Sequence, residues 1–374
     1  MDPLPLPLPQ LRSPGLGPMF DRRRFLQVCT LAAAAIGLPS GAAARMAEAV
    51  AAGKKPSVIW LSFQECTGCT ESMLRPEHPA LDELILDLIS LDYHEALMVP
   101  SGHLAEEARM AAMKTHRGKF ILVVEGAIPT ADNGVYCMIG GRTAMEIVEE
   151  AADMAGAIIA IGSCASFGGI PAAEPNPTGA KGAPQFLAGK TVVTIPGCPP
   201  NPYNFLGTAL QYASFGTLPA LDDKGRPMFA YGRTIHEHCP RRPHFDAGRF
   251  VQQFGDDGHR QGWCRYKRGC KGPETYANCS TQAFNEVTDC WPIGIGHPCY
   301  GCTEQAVLWR KGLHELAAID RPVPPAAYAP VGAERGVVSP LATAVAGVIG
   351  GAVVGGGLAF SKKLDADGDG EGEA

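Results

Sequence analysis

Cysteine is the residue type that stands out for chemistry: the 374-residue chain contains thirteen of them. Four lie in short motifs rich in small residues: Cys66 and Cys69 in Q-E-C-T-G-C-T, Cys164 in G-S-C-A-S-F-G-G, and Cys198 in P-G-C-P-P. A second set crowds the 67 residues from His236 to Cys302, where His236 is followed by seven cysteines. His236 and Cys239 form H-x-x-C, Cys264 and Cys270 bracket R-Y-K-R-G, and Cys279 and Cys290 precede the C-x-x-C of Cys299 and Cys302. Thiolates in such numbers hold soft metals. All-cysteine sites suit iron-sulfur clusters and also zinc. The odd count argues against a framework made only of disulfides, although disulfides stay open for the second set.

The segments before the first four cysteines explain how residues 132 positions apart in sequence can meet. Val58–Phe63, Phe120–Val124, Ala157–Ile161 and Thr191–Ile195 are short apolar runs that read as buried strands. Ala80–Ile89 (after Pro79), Thr143–Ala155 and Asn204–Tyr212 carry helical periodicity. Alternating strands and helices predict an α/β fold with a doubly wound parallel sheet, whose strand-end loops share the carboxyl edge where ligands bind. Cys66, Cys69, Cys164 and Cys198 all follow strands, as does Glu125 in E-G-A-I-P. From about residue 235 periodicity fades and Gly, Pro and aromatic residues increase, which predicts a smaller, irregular domain organised by its metal sites.

Composition sets outer limits. With 46% hydrophobic residues the chain can bury a substantial core, and a net charge of −6 offers no field for neutralising phosphates, so no nucleic-acid partner is expected. Arg241, Arg242, Arg265, Lys267, Arg268 and Lys271 cluster around the H-x-x-C and C-R-Y-K-R-G-C motifs, either offsetting metal charge or forming a solvated face.

Both ends read as targeting devices. Arg22 and Arg23 precede the apolar stretch Val28–Leu38 and the small residues Ala42–Ala44, the order of a twin-arginine export signal, with Met19 the more usual start. Val337–Phe360 is 24 residues without a charge, enough to span a bilayer core as a helix, and Lys362 and Lys363 would leave the C-terminus cytoplasmic. Gly347, Gly351 and Gly355 form a small-residue stripe along it. The division expected is 1–52 extension and signal, 53–230 sheet domain, 231–320 metal domain, 337–360 anchor and 361–374 acidic tail.

Taken in order, E-C-T-G-C-T-E, V-E-G-A-I-P, G-S-C-A-S-F-G-G, P-G-C-P-P-N-P, H-x-x-C-P-R-R-x-H-F-D-A-G-R-F, C-R-Y-K-R-G-C-K-G-P and W-P-I-G-x-G-H-P-C-x-G-C resemble the iron-sulfur small subunit of membrane-bound, exported nickel-iron uptake hydrogenases, over about Pro56 to Glu315. The resemblance implies a flavodoxin-like sheet domain and three clusters. A proximal [4Fe-4S] cluster falls to Cys66, Cys69, Cys164 and Cys198, and a distal [4Fe-4S] cluster to His236, Cys239, Cys264 and Cys270. A medial [3Fe-4S] cluster falls to Cys279, Cys299 and Cys302, with Pro292 where a fourth ligand would stand. Cys29, Cys137 and Cys290 are left over, and Cys290, two residues from Pro292, is a departure that offers a possible fourth medial ligand.

The activity implied is electron transfer from hydrogen oxidation in a nickel-bearing large subunit to a membrane acceptor, a cytochrome b or a quinone-linked protein, on the periplasmic face. No residue of this chain is expected to be catalytic. In the oxygen-tolerant branch of the family two further cysteines flank the proximal cluster. Here those positions are Gly68 and Gly169, which implies hydrogen oxidation that air inhibits. Two rivals differ in kind. A complex I-type quinone-reducing protein lacks the second cysteine-rich region, whereas an exported zinc- or disulfide-stabilised binding protein would be colourless.

Overall fold

The segment Ser57–Ser62, Val-Ile-Trp-Leu between two serines, forms strand β1. The computed structural model describes residues 55–76 and 89–320. β2 (Ser90–His94), β3 (Ile121–Glu125), β6 (Ala157–Ile161) and β7 (Val192–Ile195) complete a five-stranded sheet in the order β2-β1-β3-β6-β7. Every neighbouring pair in it is parallel. Between β3 and β6 the two-residue strands β4 (Met138–Ile139) and β5 (Arg142–Thr143) make a small antiparallel hairpin.

Parallel strands covered on both faces need apolar side chains at successive positions, and these strands have them. Val58, Trp60, Ile121, Val123, Ile159 and Ile161 enter one core, against Phe205, Leu206, Ala209 and Leu210 of the helix Pro202–Phe215. Ile59, Leu61, Leu122, Val124, Ile158 and Ala160 enter the other, with Met113 of the helix His103–Thr115 and Ile147, Val148 and Ala151 of the helix Ala144–Met154. Helices therefore cover both faces. The start of Ala144–Met154 is set by a capping box, Thr143 accepting from the Glu146 amide while the Glu146 carboxylate accepts from the Thr143 amide.

The expected strands and the helices near residues 143–155 and 204–212 form, the last extended to Pro202–Phe215. β2 and His103–Thr115 are additions to that expectation. S-L-D-Y-H has too few apolar residues to read as buried, because β2 is an edge strand. The expected helix over 80–89, but for Ile89, and both targeting segments lie outside the described residues. Among the described residues no helix is long and apolar enough to cross a membrane.

Beyond Met228 the chain makes short helical turns joined by isolated bridges such as Thr234 to Tyr276 and Phe250 to Cys264. The core on the Trp60 side continues into this region through Tyr231, Ile235, Cys239, Cys270, Ile293 and Cys299. Buried ion pairs replace regular hydrogen bonding there. Arg226 meets Asp222 at 2.7 Å and Glu304 at 2.5 Å, and Lys311 meets Glu274 at 2.6 Å.

Candidate metal centres

The order β2-β1-β3 places a topological switch between β1 and β3, the position where an α/β sheet opens a crevice at its carboxyl edge. The first cysteine pair emerges there. Thr67, at φ 61°, turns the chain so that the six-residue helix Gly68–Met73 begins with Cys69 in its first turn. Glu125, the last residue of β3, is 1% exposed and anchors this turn. Its carboxylate accepts from the Cys69 amide (3.0 Å), the Thr70 amide (3.1 Å), the Thr70 hydroxyl (2.5 Å) and Trp60 Nε1 (2.9 Å). His94, on β2, reaches the same Thr70 hydroxyl at 3.0 Å. The sequence leaves Glu125 undecided between a solvated loop carboxylate and a functional one. Its place at the end of a strand beside the switch is the available signal.

Cys164 follows β6 without a loop, in the helix Gly162–Phe167. The chain can pass here only as glycine, because Gly162 has φ +83° and a Cβ would stand 2.4 Å from Cys69 Sγ. Cys198 follows β7. The Ser163 hydroxyl accepts from the Gly197 amide at 3.0 Å and donates to the Cys302 carbonyl, tying the Cys164 turn, the Cys198 loop and the C-terminal C-x-x-C together. Ser163 is a positioning residue that no sequence pattern announces. Cys69, Cys164, Cys198 and Cys66 feel one another electrostatically, and burial pushes the Cys164 thiol up to about 11.

A second group meets around one small cavity, into which His236, Cys239, Cys264 and Cys270 face. Thr234 caps the turn Ile235–His238 through a capping box with Glu237, which fixes His236. The His236 ring packs edge-on against Phe245 at 4.5 Å, and its Nε2 is buried without a hydrogen-bond partner. Burial, helped by Arg242, pushes its pKa down to about 4, so the ring is neutral with a lone pair to give. An orphaned imidazole nitrogen facing three buried thiols fits a metal ligand. Burial raises both Cys239 and Cys264 to about 12. His238 instead contacts Arg233 at 3.1 Å.

The third group, Cys279, Cys299 and Cys302, lines a cavity of about 1230 Å³ with Cys198, Cys290, Trp291 and Pro292. Burial raises Cys279 to about 11 and Cys302 to about 12, and pushes Cys299 well up. Cys290 is half-buried on the same wall. Cys137 sits apart, near the hairpin, packed against the core that contains Ile147 and Val148.

The spacing of these groups bears on what they fit. Among the described residues no three His, Cys, Asp or Glu side chains stand close enough to chelate one ion, and the twelve described cysteines are all free thiols. A tetrahedral zinc ion with bonds of about 2.3 Å draws its sulfurs to roughly 4 Å apart. A cluster, by contrast, puts several irons and sulfides between its ligands and needs a wider cage. His236, Cys239, Cys264 and Cys270, converging on one cavity, are a donor set that fits a cluster.

Comparison with known proteins agrees in both regions. Residues 66–212 match the family described as NADH ubiquinone oxidoreductase, 20 Kd subunit, and residues 231–314 match the family of the C-terminal part of the NiFe/NiFeSe hydrogenase small subunit. The chain is 52% identical to the hydrogenase-2 small chain of Escherichia coli K12 over 333 residues, 89% of each protein. It is 46% identical to the quinone-reactive Ni/Fe-hydrogenase small chain of Wolinella succinogenes over 76% of this chain and 80% of that one. Among solved structures, a reduced, active Ni-Fe-Se hydrogenase from Desulfomicrobium baculatum has a chain that superimposes with a TM-score of 0.66 at 36% identity, covering 70% of this chain and 99% of that one.

Proposed function

The chain belongs to the small subunits of nickel-iron hydrogenases, the iron-sulfur, electron-transferring partners of the large subunit, and on that premise we propose how its residues divide the work. The proximal [4Fe-4S] cluster falls to Cys66, Cys69, Cys164 and Cys198 at the sheet edge. The distal [4Fe-4S] cluster falls to His236, Cys239, Cys264 and Cys270, and the medial [3Fe-4S] cluster to Cys279, Cys299 and Cys302. The observation that carries this division is the distal cavity, where an unpartnered imidazole nitrogen and three raised thiols face one another. Bound clusters pass single electrons with little rearrangement of their ligands. The chain's own task is to hold thiolates in place and keep water away, which Glu125, Ser163 and the Arg226–Glu304 pair do by fixing the backbone next to Cys69, Cys164 and Cys302.

We further propose a flavodoxin-like domain over 53–230 and an iron-sulfur domain over 231–320. Arg22 and Arg23 support twin-arginine export to the periplasmic face, and Val337–Phe360 supports a single anchor with a cytoplasmic C-terminus. Electrons leave to a membrane acceptor, a quinone-linked protein or a cytochrome b. The test is purification with the large subunit. The heterodimer should bring nickel on the partner and roughly eleven irons on this chain, with broad visible absorption. A folded, colourless and iron-free chain would overturn the division.

A further inference from the structure

Three arginines, Arg241, Arg242 and Arg265, line the cavity that the distal ligands face, and no carboxylate does. Arg242 is paired with Asp246 at 2.9 Å. Arg241 donates to the Gly262 carbonyl and is half-buried. Lys271, next to Cys270, turns away to the Gly312 and Glu315 carbonyls. Arg265 is different. It is 3% exposed, its Nε donates to the Gly296 carbonyl at 2.6 Å, and among the described residues it makes no ion pair with a carboxylate. The groups that favour its charge are the thiols of Cys239, Cys270 and Cys264, while burial and Arg241 oppose it.

A buried cation without an anion is costly, and proteins keep one only where a negative partner occupies the same site. The anion available to Arg265 is the thiolate-ligated group itself. We propose that Arg265 is the counter-ion of the distal cluster, fixing that cluster's potential above the value its three thiolates and one imidazole would set. This rests on the assignment of His236, Cys239, Cys264 and Cys270 as distal ligands. The reasoning is electrostatic. One electron arrives from the medial side and one leaves for the acceptor with no bond made or broken, so the reduced state carries one more negative charge. A guanidinium held close in a low-dielectric cavity favours that state. Through Gly296, three residues before Cys299, the same side chain also braces the medial ligand loop against the distal cage.

The test is a redox titration of the purified heterodimer followed by electron paramagnetic resonance, with iron counted in each sample. The distal signal is defined as the one lost in His236→Ala together with about four irons. Arg265→Met should keep the irons and move the distal midpoint to more negative potential by at least a tenfold change in its reduction equilibrium, about 59 mV for one electron. Arg265→Lys should restore most of the wild-type value. Should Met fail to load, Arg265→Gln, which keeps a donor for Gly296 without the charge, is read in its place. A loaded distal cluster whose potential is the same in wild type, Met or Gln, or equally shifted in Lys and the neutral variants, overturns the inference. His236→Ala that loses neither signal nor iron overturns the ligand assignment instead.

Discussion

The backbone N–H of Cys299 donates to the sulfur of Cys270 at 3.4 Å, so a proposed medial ligand touches a proposed distal one directly. At the other junction the hydroxyl of Ser163, beside Cys164, donates to the Cys302 carbonyl. The three ligand sets are thus linked in the order proximal, medial, distal, by the Ser163 hydroxyl at the first junction and by a main-chain amide at the second. Such N–H groups also disperse charge on the sulfur they face, a recognised way of raising a cluster's potential.

Loss of the His236 imidazole should remove one cluster and spare the others. His236→Ala leaves Cys239, Cys264 and Cys270 with a gap where Nε2 faced the cavity. Iron should fall by about four per heterodimer, and electron delivery to an added acceptor should drop at least tenfold. Retention of all the iron would show that a different residue closes the distal cage.

Removing the iron should expose a pH dependence that the loaded protein lacks. Burial raises the thiols of Cys239, Cys264 and Cys302 to about 12, above the ~8.5 of an unfolded cysteine. The metal-free fold therefore keeps protons that the unfolded chain gives up, so its stability is intact below pH of about 8.5 and falls as pH rises through 12. Chelator-treated protein should melt progressively lower across that window, whereas cluster-bound thiolates have no proton to lose. An identical pH profile before and after chelation would count against these thiols as ligands.

Glu125→Gln tests the base of the proximal turn. An amide NH2 cannot accept from Trp60 or Thr70, so at least one buried donor is left facing another. The expected cost is about 2–4 kcal/mol, read as a lowered melting temperature with loss of proximal iron. Trp60→Phe, which removes a single donor, should cost less. Equal melting of all three proteins would mean that Glu125 merely fills space.

Much of the sheet could be read from the sequence because strands buried on both faces are written as continuous apolar runs. Val58–Leu61 and Ala157–Ile161 leave little choice. β2 is illegible because an edge strand carries Ser, Asp and His, and Arg109 in the next helix is 1% exposed only because Glu106 and Glu150 come to meet it. Cysteine spacing announces the ligands. It does not announce their supports, since Ser163 and Glu125 act across 139 and 56 residues of chain on Cys302 and Cys69. The basic cluster is likewise undecidable from sequence: Arg242, Arg265 and Lys271 are buried while Lys267 is exposed, a division made by packing rather than by residue type.

Cys290 should prove dispensable. It shares a cavity wall with Cys279, Cys299 and Cys302, which on the proposed assignment already complete a three-iron cluster, with Pro292 where a fourth ligand would stand. Cys290→Ser should keep the iron content and the three-iron paramagnetic signal of the oxidised protein. A signal absent from wild type that appears in the variant would make Cys290 a fourth medial ligand.

The glycines flanking the proximal ligands make a sharper prediction about air. Extra thiols at Gly68 and Gly169 are what the oxygen-tolerant pattern would require, and the two positions are not equally open. A Cβ at Gly68 would stand 3.1 Å from Cys66 Sγ, a contact that a small shift of one side chain relieves. Gly169 has φ +50°, and its Cβ would meet Cys164 Sγ at 2.7 Å and the Cys164 backbone at 2.8 Å. Backbone cannot yield as a side chain does, and a left-handed φ adds strain of its own. Gly68→Cys should therefore assemble with normal iron and gain no activity under air, because one thiol does not complete the pattern. Gly169→Cys should displace Cys164 and lower proximal iron, and the double variant should gain no protection. Hydrogen oxidation assayed under air and under nitrogen, with iron counted in each sample, separates the cases. A fully loaded double variant that keeps turning over in air would show that the Cys164 turn can open to accept a side chain where this structure has none.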